Sequence, residues 1–240
     1  WLMQYSMRYY LRMSEKGSAF MSKYIYDKFD FSDEFKEELI ELVKHNTNAE
    51  IGGYRIYDGI GTHLMQNPYE ITDLIFALKK HEDNIGSKFS RFLEVGFSSG
   101  INNTLLNKFF KFEEIVGVDF MGSQVNGFTL KGHLMHKNLT LVCGDSTSHR
   151  VLDIVGKLGK YDLIFIDANH TYEYVKKDFN NYKEFLNDNG VIAFHDIDCP
   201  DWPGVNKFWN ELKDTGLYNQ QEFICRDYPI QYGIGMVTVK

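Results

Sequence analysis

The sequence predicts an α/β protein built on a doubly wound, mostly parallel sheet. Short apolar runs alternate with amphipathic stretches from residue 91 onwards. The run YDLIFID at 161–167 is almost wholly apolar, as expected of a central strand that is covered on both faces. The last two apolar runs lie close together in the chain, which predicts an antiparallel pair at the carboxyl end.

Composition places the chain among ordinary globular proteins and argues against several functional classes. A length of 240 residues suits one large domain, or a domain with a helical appendage. The net charge of -7 provides no general attraction to nucleic acid or to anionic membranes. The 3 cysteines are widely spaced and form no CxxC pair, which disfavours a zinc site or a disulfide framework. We therefore expect a cytoplasmic protein with no nucleic-acid or membrane partner, and homo-oligomerisation stays open.

Two parts are expected along the chain, a helical N-terminal extension at 1–60 and a main domain at 61–240. In FSDEFKEELIELVKH the apolar residues recur at helical spacing, and Ser32 is a candidate N-cap. The extension is interpreted as a structural cap, a dimer surface or a lid over the active site.

The main domain opens with a helix and then alternates strands and helices. Asn67 can cap the first helix, Pro68 fits its first position and Glu70 lies at its third position. The predicted strands are 91–95, 115–119, 139–145, 161–167 and 190–196, with two more in EFICR and GIGMVTV. The predicted helices between them are 102–110, 151–158, 172–187 and 204–215. Because such crossovers are right-handed, the carboxyl ends of the parallel strands should share one edge of the sheet.

The segment RFLEVGFSSG joins the first strand, a loop of small residues and a helix N-terminus, a combination that predicts a nucleotide-cofactor site. Gly96 and Gly100 bracket the turn, and Ser98 and Ser99 are candidate caps for the following helix. The pattern lacks the middle glycine of GxGxxG. A dinucleotide is therefore disfavoured, because a pyrophosphate needs a close approach of the backbone.

Acidic residues follow the apolar runs at the edge where a ligand is expected. Asp119, Asp145, Asp167 and Asp196 end four successive strands. Any one of them can be explained as a turn former, but four beside a glycine loop favour a binding site. Asp119 is placed to accept both ribose hydroxyls of an adenosine. Glu94, just before the loop, would repel phosphate and suits a ligand with a cationic amino group.

These segments resemble a known family. LEVGFSSG, VGVD, GDS and YDLIFIDANHTYE with GVIAFHD are together similar to the class I S-adenosylmethionine-dependent methyltransferases. The resemblance is to the branch that holds the sugar and macrolide O-methyltransferases and the cephalosporin-hydroxylase-like proteins. It extends from HLMQNPYEITDL to PGVNKFW and beyond. It implies a Rossmann-like sheet of seven strands with an antiparallel last strand.

The resemblance also implies a binding site for S-adenosyl-L-methionine (SAM). The residues implied are Glu94, Gly96, Ser98, Ser99, Gly100, Asp119, Asp145 and Ser146. Those at the glycine loop would hold the methionine part of SAM, Asp119 would hold the ribose, and Asp145 with Ser146 would lie at the adenine. Asp167 would lie beside the sulfonium and the acceptor.

A metal ion is expected where the fourth and fifth strands end, because Asp167 and Asp196 should converge there. Oxygen ligands of this kind suit Mg²⁺, Mn²⁺ or Ca²⁺, and Mg²⁺ is the expected ion. The predicted ligands are Asp167, Asp196 and His195, although some members of the branch carry aspartate in place of His195, and Asp198 is an alternative. The predicted catalytic residues are His170, Asp167 and His195, with His170 as the general base. Turn chemistry and a hydrogen-bonded loop histidine are the structural alternatives.

The predicted function is therefore metal-assisted transfer of a methyl group from SAM to a hydroxyl of a small polyhydroxyl acceptor. The acceptor would be a carbohydrate, such as a sugar of a surface glycan, or a polyketide-like secondary metabolite, with Trp202 lining its pocket. One alternative is a nicotinamide-dependent oxidoreductase, which the missing glycine and Glu94 disfavour. Another is a non-catalytic cofactor-binding protein of the same fold.

Overall fold

The computed structural model describes residues 29–47, 64–98, 100–120, 137–229 and 231–240. Its helices are α1 (Asp33–Thr47), α2 (Pro68–Ile85), α3 (Ile101–Phe110), α4 (His149–Leu158), α5 (Tyr172–Tyr182) and α6 (Pro203–Asp214). Its strands are β1 (Arg91–Val95), β2 (Glu114–Asp119), β3 (Leu139–Cys143), β4 (Tyr161–Ile166), β5 (Leu186–Phe194), β6 (Tyr218–Phe223) and β7 (Ile234–Val239).

The seven strands form one sheet in the order β3-β2-β1-β4-β5-β7-β6. The first five are parallel to their neighbours, and β7 runs antiparallel between β5 and β6. The predicted α/β class with a mostly parallel, seven-stranded sheet and an antiparallel last strand is confirmed. The strand order reverses between β1 and β4, and the crevice outside their carboxyl ends is where sheets of this kind bind ligands.

The boundaries around β5 and β6 differ most from the prediction. The helix expected over 172–187 ends at Tyr182, because Lys183–Phe185 tighten into a 3-10 turn and Leu186 begins β5. The strand expected in EFICR lies earlier, at Tyr218–Phe223, where it pairs with β7 over its whole length.

Each face of the sheet is covered by helices and carries its own apolar cluster. Neighbouring strand residues such as Phe92 and Leu93 belong to opposite clusters, as the alternation of side chains along a strand requires. Helices α1, α2 and α3 cover one face, whereas α4, α5 and α6 cover the other. None of the helices described here combines the length and the apolar character needed to cross a bilayer.

The helix predicted after Ser32 is present and belongs to the core. The hydroxyl of Ser32 accepts a hydrogen bond from the Phe35 amide at 3.2 Å, as an N-cap should. Phe35 and Leu39 lie in the same buried cluster as the apolar side of α2. The remainder of the predicted extension, residues 1–28 and 48–60, lies outside the described residues, so its role as a cap, lid or dimer surface stays a prediction.

The start of α2 follows the predicted pattern. Asn67 is its N-cap, with a side chain that accepts from the amides of Tyr69 and Glu70, and Pro68 occupies the first helical position. The side chain of Glu70 does not complete the cap. It turns towards the distant connection between β6 and β7 instead.

Candidate active site

The glycine loop after β1 runs directly against the end of β4. Gly96 adopts a φ of +101°, and its amide donates to the Val118 carbonyl at 2.8 Å. A Cβ atom added to Gly96 would lie 1.9 Å from the carbonyl oxygen of Asp167. Only glycine fits there, so the loop predicted to hold the cofactor and the strand end predicted to face the acceptor are in backbone contact.

The rest of the loop is fixed by the end of β2. The Ser98 amide donates to Oδ2 of Asp119 at 2.7 Å, which brings the predicted ribose ligand against the loop. The N-cap of α3 is Gly100, at a φ of 75° and without a side-chain cap. The prediction that a serine occupies the cap of this helix is therefore wrong, because the chain needs a left-handed residue at that point. Ser99 lies outside the described residues.

Glu94 is buried at the base of the loop and is held by two side chains that the sequence interpretation missed. Its Oε1 accepts from the Asn102 amide at 2.7 Å, and its Oε2 accepts from the Asn103 amide at 3.1 Å. Burial raises the pKa of Glu94 to about 8, against the opposing effect of these two hydrogen bonds. A cationic group beside Glu94 would restore the ionised form, in keeping with its predicted role. The adjacent asparagines in the first turn of a helix were the available sequence signal.

The two residues predicted at the adenine lie in the turn between β3 and α4. Oδ1 of Asp145 accepts from the amide of Thr147 at 2.8 Å and from its hydroxyl at 2.9 Å. The Ser146 carbonyl accepts from the Tyr182 hydroxyl at 2.8 Å. One oxygen of Asp145 therefore serves the turn, so the structural explanation of this aspartate holds in part.

Four titratable side chains meet beyond the carboxyl ends of β4 and β5, and we call them the acid–histidine cluster: Asp167, His170, His195 and Asp196. His170 Nε2 lies 2.8 Å from Asp196 Oδ2 and 3.4 Å from Asp167 Oδ1. His195 Nδ1 lies 3.1 Å from Asp196 Oδ2 and 3.5 Å from Asp167 Oδ1. The convergence expected of the two strand-end carboxylates is present, with a histidine on each side.

The charges of the cluster are mutually stabilised. Burial alone would lower the pKa of His170, but its contacts with Asp167 and Asp196 raise the pKa to about 9. For His195, burial is likewise outweighed by the charges of the two carboxylates, and the pKa again rises to about 9. The pKa of Asp196 is lowered, because the histidines outweigh its own burial. In the metal-free site, His170 and His195 are therefore both protonated at neutral pH.

The cluster fits a divalent cation. Asp167, His170 and Asp196 can each offer a ligand atom, with these atoms all within 4.8 Å of one another. Oδ1 of Asp196 is buried and accepts no hydrogen bond from the described residues, so one lone pair is left for an ion. Carboxylate oxygens with one imidazole suit Mg²⁺ or Mn²⁺. His195 is not in this group of three, and its Nε2 is buried without a partner among the described residues.

Two further residues that the sequence analysis named, Asp198 and Trp202, are not members of the acid–histidine cluster. Oδ2 of Asp198 is engaged by Arg226 at 2.9 Å and by Gln231 at 2.9 Å, which makes it a weaker candidate ligand than Asp196. The indole of Trp202 stacks on the His170 ring, with centroids 4.5 Å apart, and remains 44% exposed. Trp202 is therefore at the exposed rim of the cluster, and its role in lining an acceptor pocket stays a prediction.

We expect the metal-free protein to lose thermal stability as the pH rises from 6.5 to beyond 9. Both cluster histidines have a folded-state pKa of about 9 against an ordinary value of 6.5. Their stabilising contribution is therefore complete below pH 6.5 and is lost as the pH rises through 9. Melting curves in EDTA across this range should show a fall of several degrees, and His170→Gln should flatten it. An equal slope in wild type and variant would contradict the charge assignment.

The comparisons with known proteins give the same class as the fold. Residues 93–197 match the family Methyltransf_24, a methyltransferase domain, and this range includes the glycine loop and the whole acid–histidine cluster. The match to a methyltransferase domain, together with a fold shared with solved methyltransferases, supports a SAM-dependent methyltransferase. The match to a methyltransferase domain disfavours the oxidoreductase alternative.

Individual relatives add detail about the fold. The uncharacterized protein R132 of Acanthamoeba polyphaga mimivirus is 26% identical in an alignment 167 residues long that covers 63% of this chain and 75% of R132. The O-methyltransferase TomG from Streptomyces achromogenes, solved with SAM, has a TM-score of 0.54 at 14% identity and covers 96% of this chain and 98% of its own. The methyltransferase MycE was solved with Mg and S-adenosyl-L-homocysteine (SAH). It has a TM-score of 0.50 at 16% identity, and the match covers 71% of this chain and 54% of MycE. At these identities the solved structures show a shared fold.

Proposed function

We propose that this enzyme transfers the methyl group of SAM to a hydroxyl of a small polyhydroxyl acceptor with the help of a divalent ion, most simply Mg²⁺. The observation that carries the proposal is the grouping of Asp167, His170 and Asp196 within 4.8 Å, in backbone contact with the glycine loop. Both MycE, from the mycinamycin biosynthetic pathway, and TomG, involved in tomaymycin synthesis, belong to the biosynthesis of small molecules. The acceptor proposed here is accordingly a carbohydrate or a polyketide-like compound.

The residues around the glycine loop would hold the donor. SAM supplies an activated methyl group on a sulfonium and needs little further chemistry from the protein. Glu94 would meet the amino group of its methionine part, with Ser98, Ser99 and the two loop glycines around the carboxylate end. Asp119, which already receives the Ser98 amide, would accept the ribose hydroxyls. Asp145 and Ser146 would lie at the adenine.

Asp167 and Asp196 would hold the ion, with one histidine as a further donor. A bound divalent ion would lower the pKa of the acceptor hydroxyl and fix its position. His195 is the ligand expected from the sequence. With His195 in that role, His170, which also satisfies the ligand spacing, would stay off the ion and keep its Nε2 for proton transfer. The alignment that these side chains impose on the acceptor can contribute several kcal/mol to the rate.

His170 is the proposed general base, under one condition. Its Nε2 carries a proton at neutral pH while Asp167 and Asp196 are its counter-charges among the described residues. A bound cation would compete with the imidazolium for the same two carboxylates, so His170 would lose that proton in the loaded site. It is 25% exposed, whereas His195 is 3% exposed, and it therefore has the better access to an acceptor hydroxyl.

Methyl transfer with and without metal tests the proposal. Labelled SAM should transfer its methyl group to members of a panel of sugars and polyketide-like alcohols in the presence of Mg²⁺. Transfer should stop in EDTA and return when excess Mg²⁺ is added, because the ion positions and acidifies the hydroxyl. Turnover that is indifferent to EDTA would remove the ion from the mechanism. Binding of SAM without transfer to any alcohol of the panel would favour another acceptor class.

A further inference from the structure

Glu70 has a buried carboxylate that serves a distant part of the chain. The residue is 1% exposed. Its Oε1 accepts from the Cys225 amide at 3.0 Å, and its Oε2 accepts from the Gly233 amide at 2.8 Å. The two amides lie at opposite ends of the connection between β6 and β7. Asn67, the cap of the same helix, also donates from Nδ2 to the Cys225 carbonyl at 3.3 Å. The N-terminus of α2 therefore fixes both ends of this connection.

The same connection supports the turn after β5, residues 195–198. The amide of Ile197 donates to the Gly233 carbonyl at 3.1 Å, and the amide of Asp198 donates to the Tyr232 carbonyl at 2.9 Å. The two segments are closely packed, because a Cβ atom on Gly233 would lie 2.8 Å from Cβ of Asp198. The two hydrogen bonds join backbone groups, and the close approach is to the first side-chain atom of Asp198. A shift of the β6–β7 connection would therefore shift the turn.

The turn needs this support because of its own conformation. Asp196 has a φ of +65°, a region that residues other than glycine adopt at a cost in free energy. Its neighbour His195 packs against the Tyr232 ring, with centroids 4.8 Å apart. The orientation of two members of the acid–histidine cluster thus depends on where residues 232 and 233 are held.

We infer that Glu70 is a positioning residue for the acid–histidine cluster. Its carboxylate anchors the β6–β7 connection on α2, and the anchored connection holds the 195–198 turn, with His195 and Asp196, in place. The effect on metal affinity rests on the proposed function, whereas the effect on the turn does not.

Amide hydrogen exchange tests the link to the turn. Glu70→Gln keeps the size of the side chain, but its amide group has one acceptor oxygen for the two backbone donors. We expect the amides of Ile197 and Asp198 to exchange about tenfold faster in this variant, since the loss of one buried hydrogen bond has this order of effect. The amides of β1 should keep their wild-type rates.

A matched control comes from the other end of the same helix. Glu82 is also buried, at 6% exposure, and its Oε1 accepts a backbone amide, that of Phe89, at 2.6 Å. Glu82→Gln removes a similar carboxylate without touching the β6–β7 connection. It should leave the exchange of the Ile197 and Asp198 amides unchanged.

If Glu70→Gln fails to fold, Asn67→Ser takes its place. Serine retains a capping oxygen but loses the donor to the Cys225 carbonyl. This variant should speed the exchange of the same two amides by a smaller factor.

Calorimetric titration with Mn²⁺ and with SAH separates positioning from mere stabilisation. Glu70→Gln should weaken Mn²⁺ binding roughly tenfold, as loss of an outer partner of metal ligands does, and leave SAH affinity unchanged. A purely structural role would lower both affinities together with the melting temperature. Wild-type protein that binds no Mn²⁺ would refute the metal part of the proposed function, and amide exchange would then decide the inference alone. Wild-type exchange at Ile197 and Asp198 in Glu70→Gln, or equal acceleration by Glu82→Gln, would overturn it.

Discussion

Asp196→Asn should reduce metal-dependent methyl transfer by roughly a hundredfold or more, because the ion contributes several kcal/mol of charge stabilisation to such reactions. Asparagine has nearly the shape of aspartate and tolerates the left-handed φ of +65° found at this position. The substitution therefore removes the charge without imposing a new backbone conformation. Steady-state rates in Mg²⁺, together with calorimetric affinity for SAH, measure the effect, and SAH affinity should stay close to that of the wild type.

Asp198→Asn is the matched control, two residues along the same turn. Its carboxylate is engaged by Arg226 and Gln231, so its loss should cost far less turnover than the loss of Asp196. If the two variants exchanged effects, Asp198 would be the ligand and the turn would have to rearrange on binding the ion. Full activity in Asp196→Asn would remove the ion site from this position altogether.

Gly96→Ala should destabilise the fold by about 2–5 kcal/mol, the sum of a strained positive φ and an overpacked contact. The added Cβ would lie 1.9 Å from the Asp167 carbonyl oxygen, and both partners at that contact are backbone. Thermal denaturation should show a drop in melting temperature of roughly 10 °C. Any folded fraction should bind SAH weakly, because the loop can relieve the contact only by moving away from β4.

The control substitution Gly86→Ala separates the cost of the positive φ from the cost of overpacking. Gly86 has a positive φ of +65°, but a Cβ atom there would meet nothing within 4 Å. It should cost about 1 kcal/mol, the cost of the left-handed conformation alone. Equal losses in the two variants would mean that the close approach of the loop to β4 does not matter for stability.

The features that the sequence predicted well depend on local pattern. The alternation of apolar runs predicted the sheet, and the rule that ligands lie beyond strand ends brought Asp167, His170, His195 and Asp196 together. The caps at Ser32 and Asn67 were also readable from sequence, because an N-cap involves residues within one helical turn.

The features that the sequence could not provide depend on distant contacts or on strand register. Glu70 resembles an ordinary third-position glutamate, and its partners at Cys225 and Gly233 lie 155 and 163 residues away. The position of β6 is set by pairing with β7, which apolar content alone does not determine. The protonation of His170 follows from its contacts with two carboxylates, which outweigh the effect of burial, so it becomes visible only in three dimensions.

The contact between Gly96 and Asp167 has a consequence for how such an enzyme could change its acceptor. In the proposed reaction the donor lies on one of these two backbone segments and the acceptor on the other. The spacing of the two segments is then set by main-chain atoms, and side-chain substitutions elsewhere leave it intact. Residues at the rim, such as the half-exposed Trp202, can vary to admit a different alcohol without disturbing that distance. Acceptor choice and transfer geometry are thus separable properties that selection can adjust one at a time.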